Sequence, residues 1–140
     1  MKKIEKSEKN KLIEAAKTVR ENAYIPYSDF AVGAALLTDE GKIFKGANVE
    51  NAALGLTCCA ERSAIYSAIS DGIRDFHALA VIADTPQPAS PCGSCRQVLV
   101  EFNPDMILIM ANLNSKERMV TADEMLPYYF TAEDMRDGRV

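Results

Sequence analysis

The cysteines of Pro91-Cys92-Gly93-Ser94-Cys95 and of the earlier Cys58-Cys59 pair limit what this chain can fold into more than any other feature. Two cysteines separated by two residues can close their sulfurs on one tetrahedral ion, and zinc is the default ion for such donors. Alone the spacing is ambiguous, because a thioredoxin-like redox pair shares it. A structural zinc ribbon would want a second spaced pair, whereas Cys58 and Cys59 are adjacent. Adjacent side chains diverge, so they do not serve one ion together. That leaves three sulfur ligands. Three protein ligands with an open fourth position is the pattern of catalytic zinc. A fold that uses it must bring a sulfur of the 58–59 pair beside Cys92 and Cys95.

This reading needs reduced thiols. The segment Met1–Lys11 mixes Lys and Glu and lacks the apolar core of a secretory signal. No run approaches the length of a membrane span. The expectation is therefore a cytoplasmic protein, where cysteines serve as ligands, nucleophiles or core residues more often than as disulfides. At 140 residues the chain is read as one domain, 1–140. Acidic residues outnumber basic ones 20 to 16, for a net charge of −4. That argues against a nucleic-acid partner, which needs a basic face. The Lys-rich beginning is interleaved with Glu5, Glu8 and Glu14 and reads as a solvated helix face.

Apolar periodicity predicts a helix over 7–23, with Ser7 as a cap. Strands follow at 31–38 and 42–49, joined by the turn Asp39-Glu40-Gly41. A helix is expected over 59–70, stopped by Asp71-Gly72. A buried strand follows at 76–83, then a loop at 85–91 with three prolines. The rest reads as a helix at 93–102, a buried strand at 106–111, a turn at 112–115 and a short strand at 116–120. Thr121-Ala122-Asp123-Glu124 fits a capping box opening a last short helix. Buried strands alternating with helices imply an α/β fold whose sheet carries helices on both faces.

Both cysteine groups fall at expected helix N-termini, where free N–H groups and the helix dipole favour thiolates. Zinc there would lower the pKa of a bound water. Glu61, two residues beyond Cys59, is the candidate general acid/base. Its bland alternative is a surface carboxylate facing the helix dipole. Three thiolates on Zn²⁺ sum to −1, and Arg62 and Arg96 each follow a ligand closely enough to offset that charge through bonds to sulfur. Cys58 reads as a plain thiol and His77 as a structural or surface residue. Gly33, Gly41, Gly46 and Gly55 read as strand and turn punctuation.

Cys59-Ala60-Glu61 followed by Pro91-Cys92-Gly93-Ser94-Cys95 resembles the zinc nucleoside and nucleotide deaminase signature, whose first ligand is His or Cys. The likeness to the small cytidine deaminases extends further. It includes Pro26-Tyr27-Ser28-Asp29-Phe30-Ala31-Val32-Gly33-Ala34-Ala35-Leu36, Gly46-Ala47-Asn48-Val49-Glu50-Asn51, Cys59-Ala60-Glu61-Arg62-Ser63-Ala64 and the late Leu126-Pro127-x-x-Phe130. It runs from about residue 8 to about residue 136 in family order.

The resemblance implies a three-layer α-β-α sandwich around a mixed five-stranded sheet. It implies one zinc ion held by Cys59, Cys92 and Cys95, and hydrolysis of cytidine and 2′-deoxycytidine to the uridines and ammonia, as in pyrimidine salvage. Glu61 would carry a proton from water to N3 and assist loss of ammonia. Asn48 and Glu50 would bind the ribose hydroxyls, Phe30 would pack on the base, and the Ala60 backbone would meet the pyrimidine edge. Arg62 would bond ligand sulfur. A homotetramer with shared sites is implied, with Phe130 and Tyr27 reaching a neighbouring subunit's site. Relatives commonly carry Tyr where this chain has Leu54. Two other readings remain: a deaminase of a cytosine-containing antibiotic such as blasticidin S, and a non-catalytic zinc or thiol protein.

Overall fold

In the computed structural model, which describes residues 3–137, the first helix is α1, Lys6–Val19. Leu12 and Ala16 are its fully buried stripe, and charged side chains fill its other faces. Glu5 caps it rather than Ser7: Glu5 accepts from the backbone of Glu8, and the Glu8 carboxylate returns a bond to the Glu5 N–H. A short 3₁₀ turn, Arg20–Asn22, ends the helical run.

The strands are β1 (Val32–Thr38), β2 (Ile43–Ala47), β3 (Phe76–Ala83), β4 (Ile107–Asn112) and β5 (Glu117–Thr121). They form one sheet in the order β2-β1-β3-β4-β5. The β3–β4 pair is parallel, and the other neighbours are antiparallel. Parallel neighbours need a crossover, and α3 (Gly93–Phe102) supplies it. The other helices are α2 (Ala60–Ser70) and α4 (Ala132–Asp137).

Successive strand residues point to opposite faces. Leu79, Val81 and Ala83 of β3 pack with Ala64, Ile65 and Ala68 of α2 and Leu99 of α3. Ala78, Ala80 and Ile82 face the other way, toward Leu12 and Ala16 of α1. The result is three layers: α1, the mixed five-stranded sheet, and α2 with α3. Each fully buried Leu or Ile contributes about 1.5–3 kcal/mol relative to exposure, so both faces are firmly covered. No described helix is long and apolar enough to cross a membrane.

The C-terminal part differs from the expected capping box. The Thr121 hydroxyl donates to Asp123 and Glu124 instead of capping a backbone N–H. Only a 3₁₀ turn, Asp123–Met125, follows. The last α-helix starts later, at Ala132, where Thr131 and Asp134 exchange capping bonds.

Candidate metal centre and active site

The N-termini of α2 and α3 meet at one end of the sheet. Cys59 and Cys92 stand at the two N-cap positions with extended backbones, and Cys95 lies in the first turn of α3. The segment before Cys59 is held by a two-bond bridge between Val49 and Cys58, with N···O distances of 3.0 and 2.9 Å. The three sulfurs of Cys59, Cys92 and Cys95 lie within 4.8 Å of one another. The Cys59–Cys92 separation is 3.8 Å. Zinc–sulfur bonds of tetrahedral geometry place two sulfurs about 3.8 Å apart, so the donor set fits zinc in type and spacing. Cys58 is directed elsewhere, accepting from the Ser63 hydroxyl at 3.4 Å.

Cys59 and Cys95 shift one another through the hydrogen bond between them. Cys59 is drawn down to about 5 by its hydrogen bond with Cys95, aided by Arg62 and Cys92, while desolvation opposes this. Cys95, the donor to Cys59, is pushed up by that same bond and by burial. Arg62 places Nη2 3.3 Å from Cys59 Sγ and 3.4 Å from the Thr57 carbonyl. Its own pKa is raised, chiefly by the bond to Cys59. Its buried Nε has no partner among the described residues. Arg96 does not reach sulfur. Its guanidinium donates to Pro91 O at 2.9 Å, Ser90 Oγ at 2.9 Å and Met125 O at 3.0 Å.

Glu61 lies in the first turn of α2, 4% exposed. Burial pushes its carboxyl up to about 7, and the Cys59 charge adds to that, while its backbone N–H bond pulls the other way. Glu61, Cys59 and Cys92 line a cavity of about 270 Å³, near the lower end of small-molecule sites. Phe30, Asn48 and Ala60 line it too. So do Thr85, Ala89 and Ser90, which sequence reasoning missed. They belong to the proline loop, whose position beside Cys92 was the available signal.

Glu50, Tyr27, Phe130 and Leu54 lie outside this cavity, whereas Asn48 stands on its wall. Glu50 accepts from the Tyr27 and Ser28 N–H groups at 3.0 and 3.1 Å and from the Ser28 hydroxyl. The Ser28 hydroxyl chiefly, then those N–H groups, holds its pKa below the ordinary value. The Asn48 amide bridges two backbone groups, donating to Phe30 O at 2.8 Å and accepting from Val32 N–H at 2.9 Å. Tyr27 and Phe130 are exposed, and Phe130 lines a separate hollow with Val100 and Pro104. Leu54 is exposed in a 3₁₀ turn, Leu54–Leu56.

Three thiols at the mouths of two helices, with a cavity on their open side, define a metal-binding α/β protein whose metal centre is accessible from outside. The comparisons make the class specific. The family profile described as the cytidine and deoxycytidylate deaminase zinc-binding region matches residues 6–111. The chain belongs to the cytidine and deoxycytidylate deaminase family, and its cofactor is zinc, which the Cys59, Cys92 and Cys95 cluster is positioned to bind. It is 53% identical over 127 residues to a cytidine deaminase from Halalkalibacterium halodurans, covering 90% of this chain and 96% of the relative. A Bacillus cereus blasticidin-S deaminase is 30% identical over 129 residues, covering 85% and 91%. The crystal structure of cytidine deaminase from Burkholderia pseudomallei superposes with a TM-score of 0.85 at 49% identity, covering 86% of this chain and 98% of that one.

Proposed function

We propose that this protein hydrolyses cytidine and 2′-deoxycytidine to uridine and 2′-deoxyuridine, releasing ammonia. The observation that carries the reading is Glu61: a buried carboxyl on the wall of the same cavity as the thiol cluster. Bound zinc supplies Lewis acidity that activates water near neutral pH. Glu61 takes a proton from the attacking water and delivers it to N3 of the base. Water oxygen bonds to C4; Glu61 then carries the remaining proton of that oxygen to N4, the C4–N4 bond breaks as C4=O forms, and ammonia leaves while N3 keeps the first proton. A carboxyl pushed up to about 7 by burial takes and returns protons readily near neutrality. Phe30 offers an aromatic face to the base, and Ala60 sits where its backbone meets the pyrimidine edge. Asn48 keeps one N–H for a sugar hydroxyl. Glu50 accepts two bonds on Oε1 and one on Oε2 from Tyr27 and Ser28, which leaves an acceptor site on Oε2 for a sugar hydroxyl.

The direct test incubates zinc-loaded protein with cytidine, deoxycytidine and blasticidin S. Ammonia release and absorbance loss are expected with both nucleosides. No turnover of either overturns the reading, and faster turnover of blasticidin S assigns the antibiotic instead.

Arg62 is proposed to share the negative charge of the thiolates. Arg62→Ala is expected to weaken zinc retention or turnover by about 10- to 100-fold. Chelator competition measures the first and steady-state rates the second; wild-type values in both would remove the role.

A homotetramer with shared sites is proposed as well. Tyr24, Tyr27, Leu54, Leu56 and Phe130 are each more than half exposed, a set of apolar side chains suited to a second copy of the chain. Light scattering is expected to give four times the 15.4 kDa chain mass, and a monomer would refute it. Reduced thiol ligands suit a cytoplasmic setting.

A further inference from the structure

One wall of the cavity is the segment 84–91, and its composition poses a holding problem. Pro86, Pro88 and Pro91 carry no N–H, so this stretch is short of donors and rich in carbonyl acceptors. Whatever fixes it must donate. Two side chains from outside the loop do so, at opposite ends. Arg96, a donor-only fork, bonds Pro91 O and Ser90 Oγ, both at 2.9 Å. Asn112, 3% exposed, donates through Nδ2 to Thr85 O at 2.9 Å and Pro86 O at 3.2 Å. Between them, Ala89 N–H bonds Ala111 O at 3.1 Å.

Each clamp is anchored to something rigid. Asn112 ends β4, and its Oδ1 accepts from the N–H groups of Asn114 and Lys116 at 3.0 and 2.9 Å. Arg96 stands one residue beyond Cys95 on α3, and its third bond, to Met125 O, ties in the segment after β5. Thr85, Ala89 and Ser90, the loop residues that line the cavity, lie at or next to the clamped atoms.

We propose that Arg96 and Asn112 are positioning residues for the nucleoside: they hold the proline loop at the distance from Phe30 and Asn48 that fits the substrate, and they act without touching the metal. This rests on the cytidine reading above. Neither residue need contact the nucleoside. Loss of a clamp lets the wall move outward, so binding suffers while the thiol cluster and Glu61 keep their places.

The test uses the zinc-loaded protein with Arg96→Gln and Asn112→Asp. Arg96→Gln removes most of the fork. Asn112→Asp keeps the acceptor and sets a carboxylate against the carbonyls of Thr85 and Pro86. Each is expected to raise KM for cytidine about tenfold or more, the scale of a misplaced contact. The value of kcat is expected to stay within about threefold, with zinc content and the visible bands of the cobalt-substituted protein unchanged. Arg96→Lys, which keeps one donor, is expected to recover part of the KM. Deuterium uptake at the amides of 84–90 should rise in both clamp variants and needs no substrate. Wild-type KM in the folded variants overturns the proposal, as does a fall in kcat with shifted cobalt bands. If Arg96→Gln does not fold, Arg96→Lys and Asn112→Asp decide by the same readouts. An inactive wild type would refute the cytidine reading alone, and unchanged exchange in the variants would refute the clamps alone.

Discussion

Glu61→Gln is expected to lose about 10²–10⁴ in kcat, equivalent to roughly 3–5 kcal/mol of barrier, while keeping its zinc. Gln matches Glu in length and planarity, so the first turn of α2 has no steric reason to move. What disappears is a group able to take up and release a proton. The three sulfurs and Arg62 are untouched, so metal content should remain one per chain. KM should change little, because the proton transfers belong to the chemical step. Steady-state kinetics beside metal analysis reads all three. A non-catalytic zinc or thiol protein using Cys92 and Cys95 predicts no effect of this substitution on its main activity. Normal cytidine turnover by the variant would take the proton-shuttle role from Glu61.

The same substitution alters the chelated protein in another way. Burial raises the Glu61 carboxyl from an ordinary 4.5 to about 7 in the folded chain. The folded state then binds more protons than the unfolded state between those values, so this group's contribution falls as pH rises. It is fully present below about pH 4.5 and lost by about pH 7. Glu61→Gln has no such proton. Thermal melts of chelated protein at about pH 5 and pH 8 should show the variant gaining on wild type at the higher pH. Parallel pH profiles for the two would contradict a raised Glu61 in the fold.

The strands and the cysteine spacing were legible because they depend on local chemistry. Apolar runs such as 76–83 can satisfy their backbone only in a buried strand or helix, and thiols at two-residue spacing have few uses. Partners remote in the chain were not legible. Arg96 suggested a sulfur contact because it is adjacent to Cys95, yet its guanidinium goes to Met125, 29 residues away. Asn112 read as a turn residue, since nothing local shows that its amide faces Thr85 and Pro86. Glu5 outcompetes Ser7 as a cap because Glu8 can answer it reciprocally. Glu50 satisfies the Tyr27–Ser28 turn in the described structure, a contact invisible to a reading of Asn48 and Glu50 as a sugar-binding pair. Gly41 is a turn glycine with φ of 91°. Gly33 and Gly46 have another purpose, which only packing reveals.

Gly46→Ala is expected to destabilise the fold by about 1–3 kcal/mol and to damage the metal centre in whatever still folds. A Cβ at Gly46 would sit 2.4 Å from Ala64 N and 2.5 Å from Ala60 O, both backbone atoms of α2. Backbone cannot swing aside as a side chain does, so the helix itself must lift from β2. Its first turn starts beside Cys59 and carries Glu61 and Arg62. A shift of about 1 Å there is enough to cost up to 10²-fold in rate. Gly33→Ala is the matched contrast. Its Cβ would fall 1.9 Å from Ala16 O, pressing on α1 across the other face of the sheet. It should lower the melting temperature as well, while the folded fraction keeps zinc affinity and kcat near wild type. Gly55→Ala, with nothing within 4 Å of its Cβ, controls for the methyl group alone. Melting curves, chelator competition and kinetics on the three variants separate the outcomes. Zinc affinity equally reduced by Gly33→Ala and Gly46→Ala would mean that general loosening, rather than displacement of α2, connects packing to the site.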